Sequence, residues 1–304
     1  MCNQNRYGEI EFMISVLIPT YNYVCYNLVW ELQRQLSACN EKYEIIVAED
    51  GSNNNETVAE NDKIASLPNC IHLTRPDNIG RARIRNFLVS KSSGEWCIFM
   101  DSDAEVVCPD YIRKYVERIP CGADVFVGGL VNPDTLPGNK VTLRYRYEKA
   151  AERYRTADYR NHHPYERFST FNFMARRETL TEVPFDERCT EYGYEDTLMG
   201  LELRKRNKKI AHIDNPLIHL GFDDNAVFLE KTETALHTLK KIETNLLPYM
   251  GLGKLVRRIR TVHLTALVKC IYRLSRPLLR RNLLGNSPNL TLFSFYKLGY
   301  FLSL

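Results

Sequence analysis

The first half of the chain alternates between short apolar runs and longer amphipathic stretches. Runs rich in Val and Ile predict five β-strands, at 13–18, 43–48, 71–74, 96–100 and 125–127. The stretches between them have helical spacing and predict helices at 25–39, 56–67, 81–92 and 111–119. Because strands that are apolar on both faces alternate with helices, this pattern predicts a mostly parallel sheet that helices cover on both sides.

The pattern of the second half is less regular, and residues 131–167 are rich in Tyr, Arg and Pro. The elements predicted there are a helix at 143–155, a strand at 170–178, a helix from 195 to 206, a strand at 209–213 and a helix at 226–246. In the second of these helices, Glu195 and Asp196 stand at the start and basic residues at the end. That order of charges matches the helix dipole and supports the assignment.

Polar residues follow four of the predicted strands, where the chain leaves the sheet. These segments are Pro19-Thr20-Tyr21-Asn22, Glu49-Asp50-Gly51-Ser52, Asp77-Asn78-Ile79-Gly80 and Asp101-Ser102-Asp103. In open α/β sheets, ligands bind beyond the carboxyl ends of the strands. Polar groups that converge there predict a ligand with hydroxyl groups, an amide-bearing ring or phosphate, although turn chemistry alone also favours Asp, Asn, Gly and Ser.

Asp101 and Asp103 directly follow the apolar strand WCIFM. Hard divalent cations such as Mg²⁺ and Mn²⁺ prefer carboxylate oxygens, so this D-x-D pair is a candidate metal site. The alternative is that the pair serves as an N-cap for the helix predicted near 109–119.

Five segments occur in an order that resembles the family 2 glycosyltransferases. They are SVLIPTYNY, YEIIVAEDGS, NIGRARIRN, GEWCIFMDSD and FDERCTEYGYEDTLMGLELRKR. The resemblance covers roughly residues 12–220 and implies the α/β fold called GT-A, a Rossmann-like fold with a mostly parallel central sheet flanked by helices. One position departs from the family pattern, since the usual Asp-Asp pair before Gly-Ser is Glu49-Asp50 here.

The resemblance also implies a division of the chain into domains. Residues 1–220 are expected to form the catalytic domain, with a nucleotide-sugar half at about 12–130 and an acceptor half at about 131–220. Residues 221–304 are expected to form a helical, basic extension.

The activity that the resemblance implies is inverting, metal-dependent transfer of a hexosyl or N-acetylhexosaminyl group from a nucleotide-sugar to a hydroxyl. A UDP-sugar is the expected donor, and Mn²⁺ or Mg²⁺ the expected cofactor. Asp103 and Asp101 are the expected metal ligands, completed by His219, with His212 as the second choice. The expected donor-binding residues are Pro19, Thr20, Tyr21, Asp50, Arg81, Asp101 and Ser102.

Asp196 is the expected general base for the acceptor hydroxyl. Glu195 and Tyr194 are expected to bind the acceptor, a glycan or lipid-linked glycan in surface polysaccharide synthesis. Without the resemblance, the two acids need only stabilise a helix start, which contributes about 0.3–1 kcal/mol.

Charge is distributed unevenly along the chain. Ten of the 41 Lys and Arg residues, and none of the 37 Asp and Glu residues, follow Glu243. Apolar residues between 255 and 274 recur at helical spacing opposite basic ones, and Pro277 is expected to end or kink this helix. We expect the tail to lie on the inner face of an anionic membrane, with the aromatic residues of the last segment at the headgroup level. Packing on the catalytic domain is the main alternative, and nucleic-acid binding is disfavoured.

The nine cysteines are scattered without a CxxC pair, which favours reduced thiols over a disulfide framework or a zinc site. Neither an apolar signal core nor an 18-residue apolar run occurs, so we expect a cytoplasmic protein that associates peripherally with the membrane. Two other functions compete with glycosyl transfer. A sugar-phosphate nucleotidyltransferase would have a basic, Gly-rich loop after the first strand, and a noncatalytic glycan-binding scaffold would not need Asp101, Asp103 and Asp196.

Overall fold

The computed structural model describes residues 12–39, 41–136, 141–189, 193–242 and 247–304. Within these ranges the strands are β1 Met13–Thr20, β2 Lys42–Glu49, β3 Cys70–Thr74, β4 Trp96–Met100, β5 Ala104–Glu105, β6 Val125–Val127, β7 Leu130–Val131, β8 Asn172–Arg176, β9 Ile210–His212 and β10 Leu217–His219. The α-helices are α1 Tyr26–Ser37, α2 Asn55–Asp62, α3 Arg81–Lys91, α4 Tyr111–Val116, α5 Leu143–Ala151, α6 Ala157–Asn161, α7 Arg177–Glu182, α8 Glu195–Lys205, α9 Asn225–Lys241, α10 Gly251–Thr261, α11 Thr265–Leu283 and α12 Leu290–Ser303. Short 3₁₀ turns lie at Lys63–Ser66, Ile119–Cys121, Glu152–Tyr154 and Leu247–Tyr249.

A seven-stranded sheet forms the centre of the fold, in the order β3-β2-β1-β4-β8-β6-β9. Its neighbouring strands are parallel except around β8, which runs antiparallel to both β4 and β6. A smaller sheet has the order β5-β10-β7. The predicted α/β fold with a mostly parallel central sheet is therefore confirmed.

The two faces of the central sheet are buried under different helices. Val16 on β1 contributes to a cluster that contains Leu32 of α1, whereas its neighbour Leu17 contributes to a second cluster with Leu88 of α3. Because successive strand residues point to opposite faces, a strand covered on both sides must be apolar at every position. This is why the central strands read as continuous apolar runs.

The predicted strands and helices of the first half are all present, with small shifts at their ends. The predicted helix at 143–155 is shorter than expected, because α5 ends at Ala151 and a 3₁₀ turn follows. The helix predicted at 226–246 is α9, which ends at Lys241, and residues 243–246 lie outside the described part of the chain. Residues 1–11, with Cys2, lie outside it as well, and the eight described cysteines are free thiols.

The C-terminal tail differs from the single amphipathic helix predicted from its spacing. It breaks into α10 and α11 at Val262–Leu264, where His263 has a left-handed φ of 57°. The helix does not end at Pro277 but continues to Leu283. Pro277 and Arg273 are both exposed, so water can bond the carbonyl group that the proline leaves without an N–H partner.

The last helix, α12, packs against α9 and α11 rather than standing apart. Its aromatic residues Phe293, Tyr296 and Phe301 are at most 1% exposed. The prediction that the aromatic residues of this segment lie at the lipid headgroup level is therefore wrong for these three, because they lie in the core between the C-terminal helices. In the described ranges no helix is both long and apolar enough to cross a membrane.

Candidate active site

The turn after β4 lies beside the end of β10. Residue Ala104 on β5 pairs with His219 on β10, and the Leu220 N–H donates to the Asp103 carbonyl at 2.9 Å. This short antiparallel pairing brings His219 Nε2 to 3.2 Å from Asp103 Oδ2. Two of the predicted metal ligands, more than 100 residues apart in the sequence, are thus neighbours.

Gly221 leaves the room that the Asp103 carboxylate occupies. A Cβ atom added at Gly221 would stand 1.9 Å from Asp103 Oδ2, closer than any real contact allows. The turn after β10 therefore has to carry a glycine for Asp103 to hold its position next to His219.

Asp101 points toward α3 instead of His219. Arg85 Nη2 donates to Asp101 Oδ1 at 2.5 Å, and Arg81 Nη2 donates to Asp101 Oδ2 at 3.2 Å. The Arg85 side chain is buried, whereas Arg81 remains partly exposed. Asp101 therefore anchors two arginines at the cleft.

Asp50 organises the loop that leads into α3. Its two carboxylate oxygens accept from the backbone N–H groups of Ile79 at 2.9 Å and Gly80 at 3.1 Å. Gly51 lies close to this loop with a φ of 71°, and a Cβ there would lie 2.2 Å from the Asn78 nitrogen. Asp50 and Gly51, directly after β2, thus determine the shape of this wall of the cleft.

Glu49, the position at which the sequence departs from the family pattern, faces the interior. It is 1% exposed and accepts from Asn61 Nδ2 at 2.7 Å and from the Ser52 hydroxyl. His72 Nε2 lies 3.4 Å from the same carboxylate. Burial opposes ionisation, but these polar partners outweigh it and lower the pKa of Glu49. Glu49 therefore ties α2 and β3 to the end of β2.

Asp196 lies at the start of α8, behind a turn with two left-handed residues. Gly193 and Tyr194 have φ values of 109° and 69°, and α8 begins directly after them. The Thr170 hydroxyl donates to Asp196 Oδ1 at 2.6 Å. Burial, together with the neighbouring Glu195 carboxylate, raises the pKa of Asp196 to about 6.

Glu195 is engaged by the protein itself. Its Oε1 lies 2.7 Å from Arg81 Nε, and its Oε2 accepts from the Gly193 N–H at 3.1 Å. Tyr194 packs against the apolar cluster beneath the C-terminal helices. Neither residue lines the cleft described below, so the acceptor-binding role predicted for both stays a prediction.

One cleft, in two adjoining parts, brings the predicted residues together. The first part has a volume of about 410 Å³, and all seven predicted donor-binding residues line it, together with Asp103. The second part has a volume of about 250 Å³, and its walls include Asp103, His219, Thr170 and Asp196. The turn at residues 101–103 and the acid at 196 therefore share a single hollow.

His212, the second candidate metal ligand, lies away from this cleft. Its Nδ1 lies 2.9 Å from Arg160 Nη1, and its Nε2 lies 2.9 Å from the Pro164 carbonyl oxygen. Burial lowers the pKa of His212 to about 4, so the imidazole is neutral. His212 lines neither part of the cleft, which leaves His219 as the histidine of the cleft.

The described residues include no group of three or more His, Cys, Asp and Glu side chains that could by themselves enclose a metal ion. Asp103 nevertheless offers the cleft a carboxylate oxygen, the ligand that Mn²⁺ and Mg²⁺ prefer, and His219 adds an imidazole whose Nε2 lies 2.9 Å from Arg144 Nη2. Behind them, Glu148 Oε2 lies 3.4 Å from His219 Nδ1, the arrangement that orients a ligating imidazole. The residues present fit a cation whose remaining ligands come from a bound diphosphate.

Sequence reasoning missed several side chains that line the cleft. They come from α5, the 3₁₀ turn that follows it, the segment before β8 and α9, and they are Arg144, Glu148, Arg155, Thr170, Phe171 and Lys231. The i,i+4 spacing of Arg144 and Glu148, which form a 2.9 Å ion pair, was the available signal. Nothing in the sequence around Lys231 marked it.

Comparison with solved structures agrees with this fold. The structure of a mannosyltransferase from Pyrobaculum calidifontis, solved with GDP-Man and Mn²⁺, has a TM-score of 0.54, with 12% identity over 97% of this chain and 86% of that one. The sheet and cleft thus define the GT-A class of fold.

The chain belongs to glycosyltransferase family 2, because the family model "Glycosyl transferase family 2" matches residues 15–184. The predicted family and the predicted class of enzyme are therefore confirmed. An uncharacterized glycosyltransferase of Rickettsia bellii is 34% identical over 90 residues, which cover 30% of this chain and 13% of that protein. One of Haemophilus influenzae is 29% identical over 134 residues, 43% of this chain and 52% of that protein. The chain thus spans at most about half the length of these two relatives.

Proposed function

We propose that this protein transfers a sugar from a nucleoside-diphosphate sugar to an acceptor hydroxyl with inversion at the anomeric carbon. The observation that carries this proposal is the single cleft in which the predicted donor residues adjoin Asp103, His219 and Asp196. A UDP-sugar is the expected donor. The P. calidifontis enzyme was solved with a GDP-sugar, so both nucleotides belong in the test.

The residues that line the two parts of the cleft have different roles in the proposed reaction. Thr20, Tyr21 and Asp50 border the nucleotide part, where the base and ribose are expected. Asp103 and His219 would hold the Mn²⁺ or Mg²⁺, which supplies Lewis-acid neutralisation of the diphosphate. Arg81 links the donor and acceptor sides, since it contacts both Asp101 and Glu195.

Asp196 is the general base of the proposed reaction. The acceptor oxygen forms a bond to the anomeric carbon, while the bond from that carbon to the phosphate oxygen breaks. The proton of the hydroxyl passes to Asp196, and the bonding electron pair remains on the departing diphosphate. The hydrogen bond from Thr170 holds the carboxylate in one orientation for this transfer.

The direct test is a panel of UDP- and GDP-sugars incubated with the protein and Mn²⁺, in which water takes the sugar in place of the acceptor and release of the nucleoside diphosphate is the readout. We expect release from at least one donor, and loss of that release when EDTA removes the metal. A panel without Mn²⁺-dependent release from any donor would contradict the proposal.

The rate of transfer is expected to depend on pH through Asp196. Because burial raises the pKa of this carboxyl to about 6, it is protonated below that pH and cannot accept the hydroxyl proton. The nearby Glu195 carboxylate raises the pKa of Asp196, whereas Arg81 and Arg85 lower it. The value of kcat/KM should therefore fall about tenfold per pH unit below pH 6 and be level above it. A profile that is flat from pH 5 to 7.5 would exclude Asp196 as the titrating base.

We further propose that the acceptor is a glycan or lipid-linked glycan of a surface polysaccharide, at the inner face of an anionic membrane. Leu267, Ile271, Leu274 and Leu278 form one stripe on α11, and each is 46–78% exposed. The buried residues of α11, such as Tyr272, lie on the opposite side of the helix.

The charge around this stripe favours a lipid surface as its partner. The same two helices, α10 and α11, carry exposed basic side chains, namely Lys254, Arg257, Arg258, Arg260, Arg273, Arg276 and Arg281. No acidic residue follows Glu243 in the sequence. Apolar side chains flanked by cations are typical of helices that lie in the interface of an anionic bilayer.

Replacing Leu274 with glutamate should abolish most of this membrane binding. Leu274 is 78% exposed, so the change leaves the core intact, while it removes about 1.5–3 kcal/mol of burial in the bilayer. We expect the partition onto vesicles with phosphatidylglycerol to fall by at least about tenfold in co-sedimentation.

The matched control for this variant is Val107→Glu, since Val107 is 57% exposed on the loop after β5. It should bind vesicles like the wild type. If the wild-type protein does not co-sediment with these vesicles, the membrane proposal is refuted. If it instead forms dimers that Leu274→Glu disrupts, the stripe is a contact between copies of the chain.

A further inference from the structure

Lys231 lies at the junction of the two parts of the cleft. Four residues line both parts, namely Arg81, Asp101, Asp103 and Lys231. Arg81 and Asp101 belong to the predicted donor site, and Asp103 is a predicted metal ligand. Lys231 comes from α9, beyond residues 15–184 of the family match and in the segment expected to be only a basic extension.

A short chain of polar contacts connects Lys231 to the proposed metal ligands. Lys231 Nζ donates to Asp223 Oδ1 at 2.7 Å, and Arg144 Nη1 donates to Asp223 Oδ2 at 2.5 Å. Arg144 Nη2 lies 2.9 Å from His219 Nε2. Asp223 thus holds Lys231 at the cleft, while the 40% exposure of the lysine side chain leaves it accessible.

Lys231 belongs to a group of closely spaced charged side chains at this part of the cleft. Three cations, Arg144, Arg155 and Lys231, share two carboxylates, Glu148 and Asp223, at distances of 2.5–3.7 Å. These five side chains carry three positive and two negative charges, and Asp101, Asp103 and Asp196 add carboxylates to the same part of the cleft. A donor diphosphate brings at least two negative charges into the same space, next to Asp103.

We propose that Lys231 binds the diphosphate of the donor and stabilises the charge that it gains when the bond to the sugar breaks. This inference rests on the proposed function. Lys231 lies between the nucleotide part of the cleft and Asp196. The diphosphate must occupy this position if the sugar is to reach the base. An ammonium group there adds to the effect of the metal, since charge-assisted hydrogen bonds to phosphate are among the strong ones.

The alternative is that Lys231 only pairs with Asp223 to hold α9 in place. An ion pair this exposed contributes little to stability, so the two roles make different predictions. A structural lysine would affect the melting temperature and the binding of every ligand alike. A diphosphate-binding lysine affects only ligands that carry the diphosphate.

The test compares Lys231→Gln, Lys231→Arg and the wild type by calorimetric titration with UDP, GDP, uridine and guanosine in the presence of Mn²⁺. We expect Lys231→Gln to weaken binding of the nucleoside diphosphate by about 10- to 100-fold, without change for the nucleoside. Lys231→Arg should restore most of the affinity. Lys241→Gln, at the exposed end of the same helix, is the control and should bind like the wild type.

Each outcome decides between the proposals. Equal affinity of Lys231→Gln and wild type for the diphosphate overturns the role of Lys231 and leaves the proposed function standing. A parallel loss of nucleoside and diphosphate binding with a lowered melting temperature assigns Lys231 to holding α9, and it also overturns the inference. Wild-type protein that binds neither UDP nor GDP refutes the proposed function itself.

Discussion

Replacing Asp196 with asparagine is expected to lower the rate of sugar transfer by a factor of about 10² to 10⁴. The amide has nearly the same size and can still accept the hydrogen bond from Thr170, but it cannot take a proton from the acceptor. Removing a buried, partly protonated carboxyl next to Glu195 should not destabilise the fold. Transfer kinetics with the donor found in the panel measure the effect.

The control for this variant is Glu202→Gln, on the same helix but away from the cleft. Glu202 forms an ion pair with Lys205 at 2.5 Å on the surface, so its loss should change turnover by less than twofold, in line with the small energy of exposed pairs of about 0–1 kcal/mol. Near-normal transfer by Asp196→Asn would remove Asp196 from the mechanism.

Replacing Asp103 with asparagine is the second change with a large expected effect. Asp103 supplies the only carboxylate that contacts His219 Nε2 within the described ranges. Its loss should reduce transfer by at least about 10²-fold, because Lewis-acid stabilisation of a leaving diphosphate amounts to several kcal/mol. Kinetics and the thermal shift that Mn²⁺ and UDP or GDP produce together measure the change.

Glu105→Gln is the matched control, because Glu105 is an exposed carboxylate two residues further along the chain. It should keep both the Mn²⁺-dependent thermal shift and the transfer rate. If Asp103→Asn retains the full thermal shift, the cation does not bind at Asp103 and the assignment of the metal site is wrong.

The donor side of the cleft could be predicted because local sequence determines it. Each strand from β1 to β4 is an apolar run that ends in polar residues, and parallel strands bring those ends to one edge of the sheet. Thr20, Asp50 and Asp101 therefore converge through the parallel pairing of these strands. Even so, the sequence could not show that both oxygens of Asp50 bind backbone N–H groups, since this depends on the path of the loop before α3.

The acceptor side was harder because its contacts join distant segments. Arg144 contacts Asp223, 79 positions away, and α5 is too short and too polar to show a clear apolar face. Nothing in the sequence distinguishes Lys231 from the other lysines of α9. Only the three-dimensional course of α9 past the cleft reveals its place, so neither residue was found from the sequence.

The tail shows a different limit of sequence reasoning. Its spacing predicted an amphipathic helix whose apolar face includes Leu274, and the aromatic composition of α12 predicted a position at the membrane surface. Burial of Tyr296 against Tyr272 and of Phe293 among neighbouring rings was not visible, because a helix that packs in a core and one that packs in a bilayer share the same composition.

The most direct test of the central claim, that donor and base occupy separate parts of one cleft, is a titration of the Asp196→Asn variant. The donor that the wild type uses is titrated calorimetrically in the presence of Mn²⁺. The structure predicts wild-type affinity for the nucleotide-sugar together with loss of transfer, since Asp196 lines only the part of the cleft beyond the nucleotide. Loss of donor binding together with transfer would contradict this division of the cleft.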